Sequence, residues 1–192
     1  TPQPPYLVFH LGASRPEKRF SAEGWREVAA QFSGSIIYLI GSKDEEALGA
    51  SFSDLPHVVN YIGKTKLTEL FQLIQNASVL VGADSAPIHI ASHTQTPTLN
   101  LSFSSVSFWE TGPCAPRSFV VHANTPSEMS PTSVAQAISA IITVGAIPQN
   151  VIRGVVVNGP RFEVQDEFFS WSLIKALYTQ ADFPVLPDGK MI

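Results

Sequence analysis

Short apolar runs alternate with amphipathic stretches along most of the chain. Each run is continuously apolar rather than alternating, which is typical of parallel strands that are buried on both faces. The strands predicted in this way are residues 6–11, 36–40, 58–62, 79–81, 98–101 and 119–121. The helices predicted between them begin after Ser21, near Asp44, at Lys66, at Ser85, and after Ser130 or Thr132. The pattern predicts an α/β fold with a Rossmann-like, mainly parallel sheet of about six strands and helices on both faces.

The two ends of the chain differ from this alternating middle. Residues 1–5 are rich in proline and predict a linker, whereas residues 6–150 form the predicted Rossmann-like domain. Residues 151–192 predict a C-terminal extension with strands at 151–157 and 162–165, a turn at 158–160, and a helix at 167–178. That helix is rich in aromatic side chains, and we expect them to pack against another surface rather than form an exposed apolar patch.

Composition and charge exclude several classes of function. A chain of 192 residues is long enough for one domain with a real core. Its net charge of −4 and its lack of a basic run argue against a nucleic-acid partner. The single cysteine, Cys114, excludes an internal disulfide and fits a reducing, cytoplasmic compartment. No apolar stretch approaches the roughly 20 residues that a membrane-spanning helix needs.

The residues that follow each strand are the candidates for chemistry, because ligands bind open parallel sheets at the carboxyl ends of the strands. Most of these segments begin with glycine, as at Gly12, Gly41 and Gly63. A residue without a side chain lets a ligand approach the backbone closely. The chain contains neither a Walker-type phosphate loop nor a GxGxxG motif, so a dinucleotide-dependent oxidoreductase is disfavoured.

The most specific candidate is the segment GADSAPIH at residues 82–89. It places Asp84 at a strand end, with Ser85 and Ala86 at the start of a helix. Free N–H groups and the positive end of the helix dipole favour a diphosphate there. His89 follows Ser85 by four residues and so lies on the same face of the helix. The alternative is that Asp84 and Ser85 only cap the helix and that His89 is a buried core histidine.

A second segment adds an adjacent pair of cations between the first strand and its helix. Residues 12–20, GASRPEKRF, contain Lys18 and Arg19, and either side chain could neutralise phosphate charge. The alternative is that both are solvated surface residues. The two segments are far apart in sequence, yet both fall at the same edge of the predicted sheet. That convergence favours a phosphate site.

Taken in order, these pieces resemble the C-terminal, donor-binding domain of the heptosyltransferases, glycosyltransferase family 9, which have the two-domain GT-B architecture. The matching pieces, between residues 6 and 142, are GASRPEKRFSAEGW, LIGSKDEE, YIGKTKLTEL and VGADSAPIHIASHTQTPTLNL. The chain departs from the family pattern in three places. Ala86 stands where the family prefers glycine, Phe20 where it has tryptophan, and residues 102–111 lack its Gly-Pro-Thr-x-Pro loop.

The resemblance implies a glycosyltransferase that moves a heptose-like sugar from a nucleotide diphosphate sugar, usually ADP-activated, to a lipopolysaccharide-core or related glycan. It implies phosphate contacts by Lys18, Ser85 and Ala86, with Ser14 and Arg19 nearby, a ribose contact by Glu45, Thr65 near the base, and Asp84 and His89 shaping the pocket. It implies no tightly bound cofactor or metal. The catalytic base is expected in a missing N-terminal, acceptor-binding domain, so the chain alone is expected to bind donor without turnover, in the cytoplasm and peripherally at the inner membrane.

Two other functions remain open. One is another GT-B nucleotide-sugar enzyme or a sugar-nucleotide epimerase. The other is a non-catalytic binding domain with a degenerate donor site, which the departures at Ala86 and residues 102–111 favour. His89 and His93 have the spacing of metal ligands on a helix, but they lack the accompanying glutamate of a metalloprotease. We therefore expect a packing or surface role for this pair, and no metal site.

Overall fold

The computed structural model describes residues 5–103, 108–113, 117–145, 155–158 and 161–164, and these contain one eight-stranded sheet. The strands are β1 (Tyr6–His10), β2 (Ile36–Ile40), β3 (Val58–Asn60), β4 (Val79–Ala83), β5 (Thr98–Phe103), β6 (Ser118–Ala123), β7 (Val155–Asn158) and β8 (Arg161–Val164). Their order across the sheet is β3-β2-β1-β4-β5-β6-β7-β8. Strands β1 to β6 are all parallel, whereas β7 and β8 pair antiparallel at the β6 edge. The predicted mainly parallel sheet is confirmed.

Helices cover both faces of the sheet. They are α1 (Ala22–Ala30), α2 (Leu67–Gln75), α3 (Ala86–Thr94), α4 (Phe108–Thr111) and α5 (Pro131–Thr143), with 3-10 segments at Pro16–Lys18, Lys43–Phe52 and Pro126–Glu128. Helices α1 and α5 pack over one face, and α2 and α3 pack over the other. Both faces of the parallel strands are therefore buried, which explains their continuously apolar sequences.

Side-chain capping fixes two of the predicted helix starts. The Ser21 hydroxyl accepts a hydrogen bond from the Gly24 N–H at 3.0 Å, and α1 follows it. Of the two residues predicted to cap α5, Ser130 does so, by accepting from the N–H of Ser133 at 3.4 Å. These hydroxyls satisfy N–H groups that have no acceptor inside the helix.

The structure differs from the sequence prediction at two elements near β3. The predicted acidic helix near Asp44 is a 3-10 segment, and a Cβ on its Gly49 would lie 2.2 Å from the Asn60 side chain, so this segment lies tightly against β3. Strand β3 ends at Asn60 rather than at Ile62. Just beyond the strand, the Asn60 Oδ1 atom accepts a hydrogen bond from the Ile62 N–H at 3.0 Å, while the Tyr61 N–H still donates to the Leu39 carbonyl of β2 at 2.9 Å.

The prediction for the C-terminal extension is tested only in part. Strands β7 and β8 form an antiparallel pair within residues 155–164. The central turn residues 159–160 and the aromatic helix at 167–178 lie outside the described residues.

Gly63 sets the turn that leads from β3 to Thr65. Its φ of +69° is in the left-handed region, and a Cβ there would lie 3.0 Å from Lys43 Cα. Gly63→Ala is expected to lower the free energy of unfolding by about 2–3 kcal/mol, because backbone strain and backbone crowding act together. The matched control is Gly145→Ala, where φ is +74° but nothing lies within 4 Å, so strain alone costs about 1 kcal/mol. Urea unfolding measures both, and equal losses would show that crowding at Lys43 is unimportant.

Candidate functional site

Three of the predicted site segments meet at one edge of the sheet. His10 in β1 is level with Ile40 in β2 and with Gly82 in β4. Glu45 follows β2, Lys18 follows β1, and Ser85 follows β4, so the three segments leave neighbouring strands at their carboxyl ends. The strands are parallel, so the segments that follow them lie at the same end of the sheet. Ligands bind open parallel sheets at this end.

His10 connects two of these residues, although its place at the end of a buried strand does not predict a role in the site. Its Nδ1 atom lies 3.0 Å from the Ser85 hydroxyl, and its Nε2 atom lies 3.8 Å from Glu45 Oε2. The second distance is an electrostatic contact rather than a hydrogen bond. The His10 contact, followed by the hydrogen bond from the Ser42 N–H at 2.8 Å, lowers the pKa of Glu45 to about 2 although partial burial opposes it. Glu45 is therefore an anion at neutral pH.

Three glycines make room for this cluster. A Cβ on Gly12 would lie 1.6 Å from Glu45 Oε1, and a Cβ on Gly41 would lie 2.7 Å from Glu45 Oε2. A Cβ on Gly82 would lie 3.0 Å from the Cβ of His10. The expectation that strand-end glycines leave space for a ligand is thus wrong at Gly12, because the carboxylate of the chain itself fills that space.

Ser85 is the N-cap residue of α3, but its side chain does not cap the helix. The hydroxyl contacts His10 and donates to the Ala83 carbonyl at 3.0 Å. At the start of α3, Ala86 is exposed and Pro87 has no N–H, so the Ala86 N–H is left without an intrahelical acceptor. The interpretation of Ser85 as a simple cap is therefore wrong, and the N-terminus of α3 keeps a donor at the positive end of its dipole.

Asp84 is restrained by Thr111, which no pattern in the sequence assigns to the site. The Thr111 hydroxyl, in α4, donates to Asp84 Oδ2 at 2.7 Å. The other carboxylate oxygen of Asp84 is buried and has no hydrogen-bond partner among the described residues. Thr111, the last residue of the segment that departs from the family pattern, thus contacts a predicted site residue.

The histidines of α3 are not core residues of the kind the alternative interpretation required. His89 is exposed, so the interpretation as a buried core histidine is wrong. His93 packs at an angle against the ring of Phe71, with centroids 6.2 Å apart. Among the residues that the structure describes, no group of three or more histidine, cysteine or acidic side chains could hold a metal ion.

The loop after β1 contains three cations, and two of them interact within the loop: Arg15 pairs with Glu17 at 3.4 Å, and Arg19 bonds to the loop backbone. The 3-10 segment Pro16–Lys18 contacts β5, so the loop crosses the end of β4, which lies between β1 and β5. Arg19 donates from Nε and Nη2 to the Ala13 carbonyl at 3.0 and 2.8 Å. Lys18 is half-buried, its ammonium has no hydrogen bond or ion pair with the described residues, and Ser14 is exposed. Lys18 is therefore the cation that this loop offers to a ligand.

Thr65 lies on the β3 side of Glu45, away from the other predicted residues. It lines a cavity of about 700 Å³ on the flank of α2. The cavity is lined by Asn60, Tyr61, Lys64, Thr65, Glu69, Gln72 and Leu73. The Tyr61 ring packs against Tyr38 with centroids 5.1 Å apart. The predicted residues thus follow the sheet order, from Thr65 beside β3 to Ser85 beside β4.

The sequence model of glycosyltransferase family 9 (heptosyltransferase) matches residues 1–138, which include every predicted site residue. The chain belongs to glycosyltransferase family 9. Within the described ranges, no helix of this family member is long and apolar enough to cross a membrane.

Known relatives agree with this family. The lipopolysaccharide core heptosyltransferase OpsX of Haemophilus influenzae is 32% identical over 101 residues, which are 50% of this chain and 29% of that protein. The E. coli ADP-heptose lps heptosyltransferase II has a TM-score of 0.68 at 22% identity, over 74% of this chain and 47% of that one. The E. coli heptosyltransferase WaaC with ADP has a TM-score of 0.65 at 22% identity, over 70% and 43%. These structures share the fold, and the chain spans less than half the length of each relative.

Proposed function

We propose that this chain is the donor-binding domain of a family 9 glycosyltransferase. It holds a nucleotide diphosphate sugar, and the whole enzyme transfers a heptose-like sugar to a lipopolysaccharide-core or related glycan. The main support is the convergence of Glu45, Lys18 and the N-terminus of α3 at one sheet edge. An anion can accept from sugar hydroxyls, while a cation and a free N–H suit a diphosphate.

Each predicted residue has a place in this proposal. The diphosphate lies against Ser85 and Ala86 with the Lys18 ammonium beside it, because both the dipole and the cation favour negative charge there. The Glu45 carboxylate accepts hydrogen bonds from the ribose hydroxyls of the nucleotide. The remaining residues form the surroundings: Thr65 beside the base, Asp84 and His89 at the wall of the pocket, and Ser14 and Arg19 in the loop that carries Lys18.

The transfer itself breaks the bond between the anomeric carbon and the diphosphate and forms a bond to an acceptor hydroxyl oxygen. Negative charge develops on the departing diphosphate, and Lys18 and the N–H groups of α3 stabilise it. The acceptor hydroxyl loses its proton to a general base. We propose that this base belongs to an N-terminal acceptor-binding domain of the whole protein. The glycan acceptor then places the reaction at the cytoplasmic face of the inner membrane.

Calorimetric titration of the 192-residue chain with ADP-, UDP- and GDP-sugars tests the proposal. We expect heat with ADP-heptose and about tenfold weaker binding in Lys18→Gln, because a charge-assisted contact is worth about 1.5–3 kcal/mol and this one is partly solvated. The control is Arg117→Gln. It removes an exposed cation just before β6, at the amino ends of the strands and so opposite the candidate site. The affinity should therefore remain unchanged.

The other outcomes separate the alternative functions. A preference for UDP-sugars would favour another GT-B nucleotide-sugar enzyme or an epimerase. No heat with any nucleotide would favour a non-catalytic domain with a degenerate site. Equal weakening in the two variants would show that only net charge matters, which removes Lys18 from the site.

A further inference from the structure

Glu45 and Ser85 stand on loops that leave strands two positions apart in the sheet. Glu45 follows β2 and Ser85 follows β4, with β1 between them. His10 is the last residue of β1, and its ring reaches both side chains, at 3.8 Å from Glu45 Oε2 and 3.0 Å from Ser85 Oγ. His10 is only 6% exposed, so it has little surface with which to contact a ligand itself.

The environment of His10 fixes the orientation of both neighbours. The Ser85 hydroxyl lies 3.0 Å from both His10 Nδ1 and the Ala83 carbonyl, and these two contacts set its rotamer. The Glu45 carboxylate lies over Gly12 and also accepts from the Ser42 N–H. Because the imidazole is a rigid ring, it holds the carboxylate and the hydroxyl at a set separation.

We propose that His10 is a positioning residue whose two ring nitrogens act on two different parts of the donor. Nε2 orients the Glu45 carboxylate toward the ribose hydroxyls, and Nδ1 holds the Ser85 side chain in place at the N-terminus of α3, where the phosphates bind. This inference rests on the proposed function and deepens it. His10 thereby joins the residue that recognises the nucleoside and the residue that recognises the diphosphate in one rigid unit that spans three strands.

Asparagine and glutamine separate the two contacts, because asparagine can place its amide nitrogen near the Nδ1 position and glutamine near the Nε2 position. The probes are ADP, 2′,3′-dideoxy-ADP, which lacks the ribose hydroxyls, and inorganic pyrophosphate. His10→Asn is expected to lower the preference for ADP over the dideoxy analogue about fivefold and to leave pyrophosphate affinity unchanged. His10→Gln is expected to keep that preference and to weaken pyrophosphate about fivefold. His10→Leu loses both.

The matched control is His57→Gln. His57 is also buried, and its Nε2 atom lies 2.9 Å from the Ala29 carbonyl, in a contact that involves none of the predicted site residues. We expect this variant to lose stability without changing the ADP preference or the affinity for pyrophosphate. Circular dichroism establishes that each variant is folded at the titration temperature.

The outcomes separate this inference from the proposed function. If the His10 variants weaken all three probes by the same factor, or change none, the positioning role is overturned while the donor site stands. If the unsubstituted chain binds neither ADP nor pyrophosphate, the proposed function fails first. A loss of ribose preference in His10→Asn, with pyrophosphate unaffected, is a result that a merely structural histidine would not produce.

Discussion

Replacing Gly12 with alanine is expected to weaken nucleotide-sugar binding about a hundredfold and to lower the free energy of unfolding by about 1–2 kcal/mol, because the Glu45 carboxylate loses its contacts with His10 and the Ser42 N–H. The new Cβ would lie 1.6 Å from Glu45 Oε1, so the carboxylate must leave its place beside His10. It is the end of a flexible side chain and can move, and the φ of Gly12 is not in the left-handed region. Two charge-assisted contacts to the ribose hydroxyls, each worth about 1.5 kcal/mol or more, would be lost together.

The control for this prediction is Gly34→Ala, because a Cβ on Gly34 would meet nothing within 4 Å. Calorimetric titration with ADP-heptose measures the affinity of both variants, and thermal unfolding measures their stability. Unchanged binding in Gly12→Ala would show that Glu45 does not contact the donor from this position. A large loss of stability would show instead that the carboxylate cannot move aside.

Replacing Trp25 with alanine is expected to have the largest effect on stability, lowering the free energy of unfolding by about 3–5 kcal/mol. Trp25 is 2% exposed, and its ring centroid lies 5.2 Å from that of Phe9 and 5.6 Å from that of Phe20. The substitution leaves a large cavity between β1 and α1. It also removes the partner of Phe20, the aromatic residue that follows the Lys18–Arg19 pair and anchors this loop.

Trp25→Phe separates the loss of side-chain volume from the effect of removing the indole N–H. The Trp25 Nε1 atom is buried and has no hydrogen-bond partner within the described part of the chain. Phenylalanine removes this unsatisfied donor while it keeps an aromatic ring, so we expect a loss below about 1.5 kcal/mol. Chemical denaturation of both variants measures the difference. Comparable losses in the two would mean that the indole nitrogen is bonded in solution.

The sequence predicts the fold well wherever burial decides it. Continuously apolar strands and amphipathic helices give the parallel sheet, because that periodicity reflects burial on two faces. Boundaries are less predictable where a single side chain bonds to the backbone. Strand β3 ends at Asn60, whose side chain bonds to the Ile62 N–H, and nothing in an apolar run that continues to Ile62 indicates this earlier end.

The candidate site is predictable only where a residue lies in the segment that follows the carboxyl end of a strand. Glu45, Lys18 and Ser85 satisfy that rule. His10 is the last residue of a buried strand, so its sequence context is equally typical of a core position. Thr111 is 27 positions from Asp84, and only the folded chain brings them together. Such contacts between distant residues decide which side chains are fixed by protein contacts and which are available to a ligand. Local sequence patterns do not reveal these contacts.

Arg19 illustrates a consequence of such contacts. Its two hydrogen bonds to Ala13 close the loop on itself through interactions within the protein. The conformational entropy of ordering that loop is therefore lost when the chain folds, and we expect that it is not lost again when the proposed donor binds. The affinity of this loop for a donor and the stability of the domain therefore depend on the same two hydrogen bonds. A substitution that breaks these bonds is expected to weaken both.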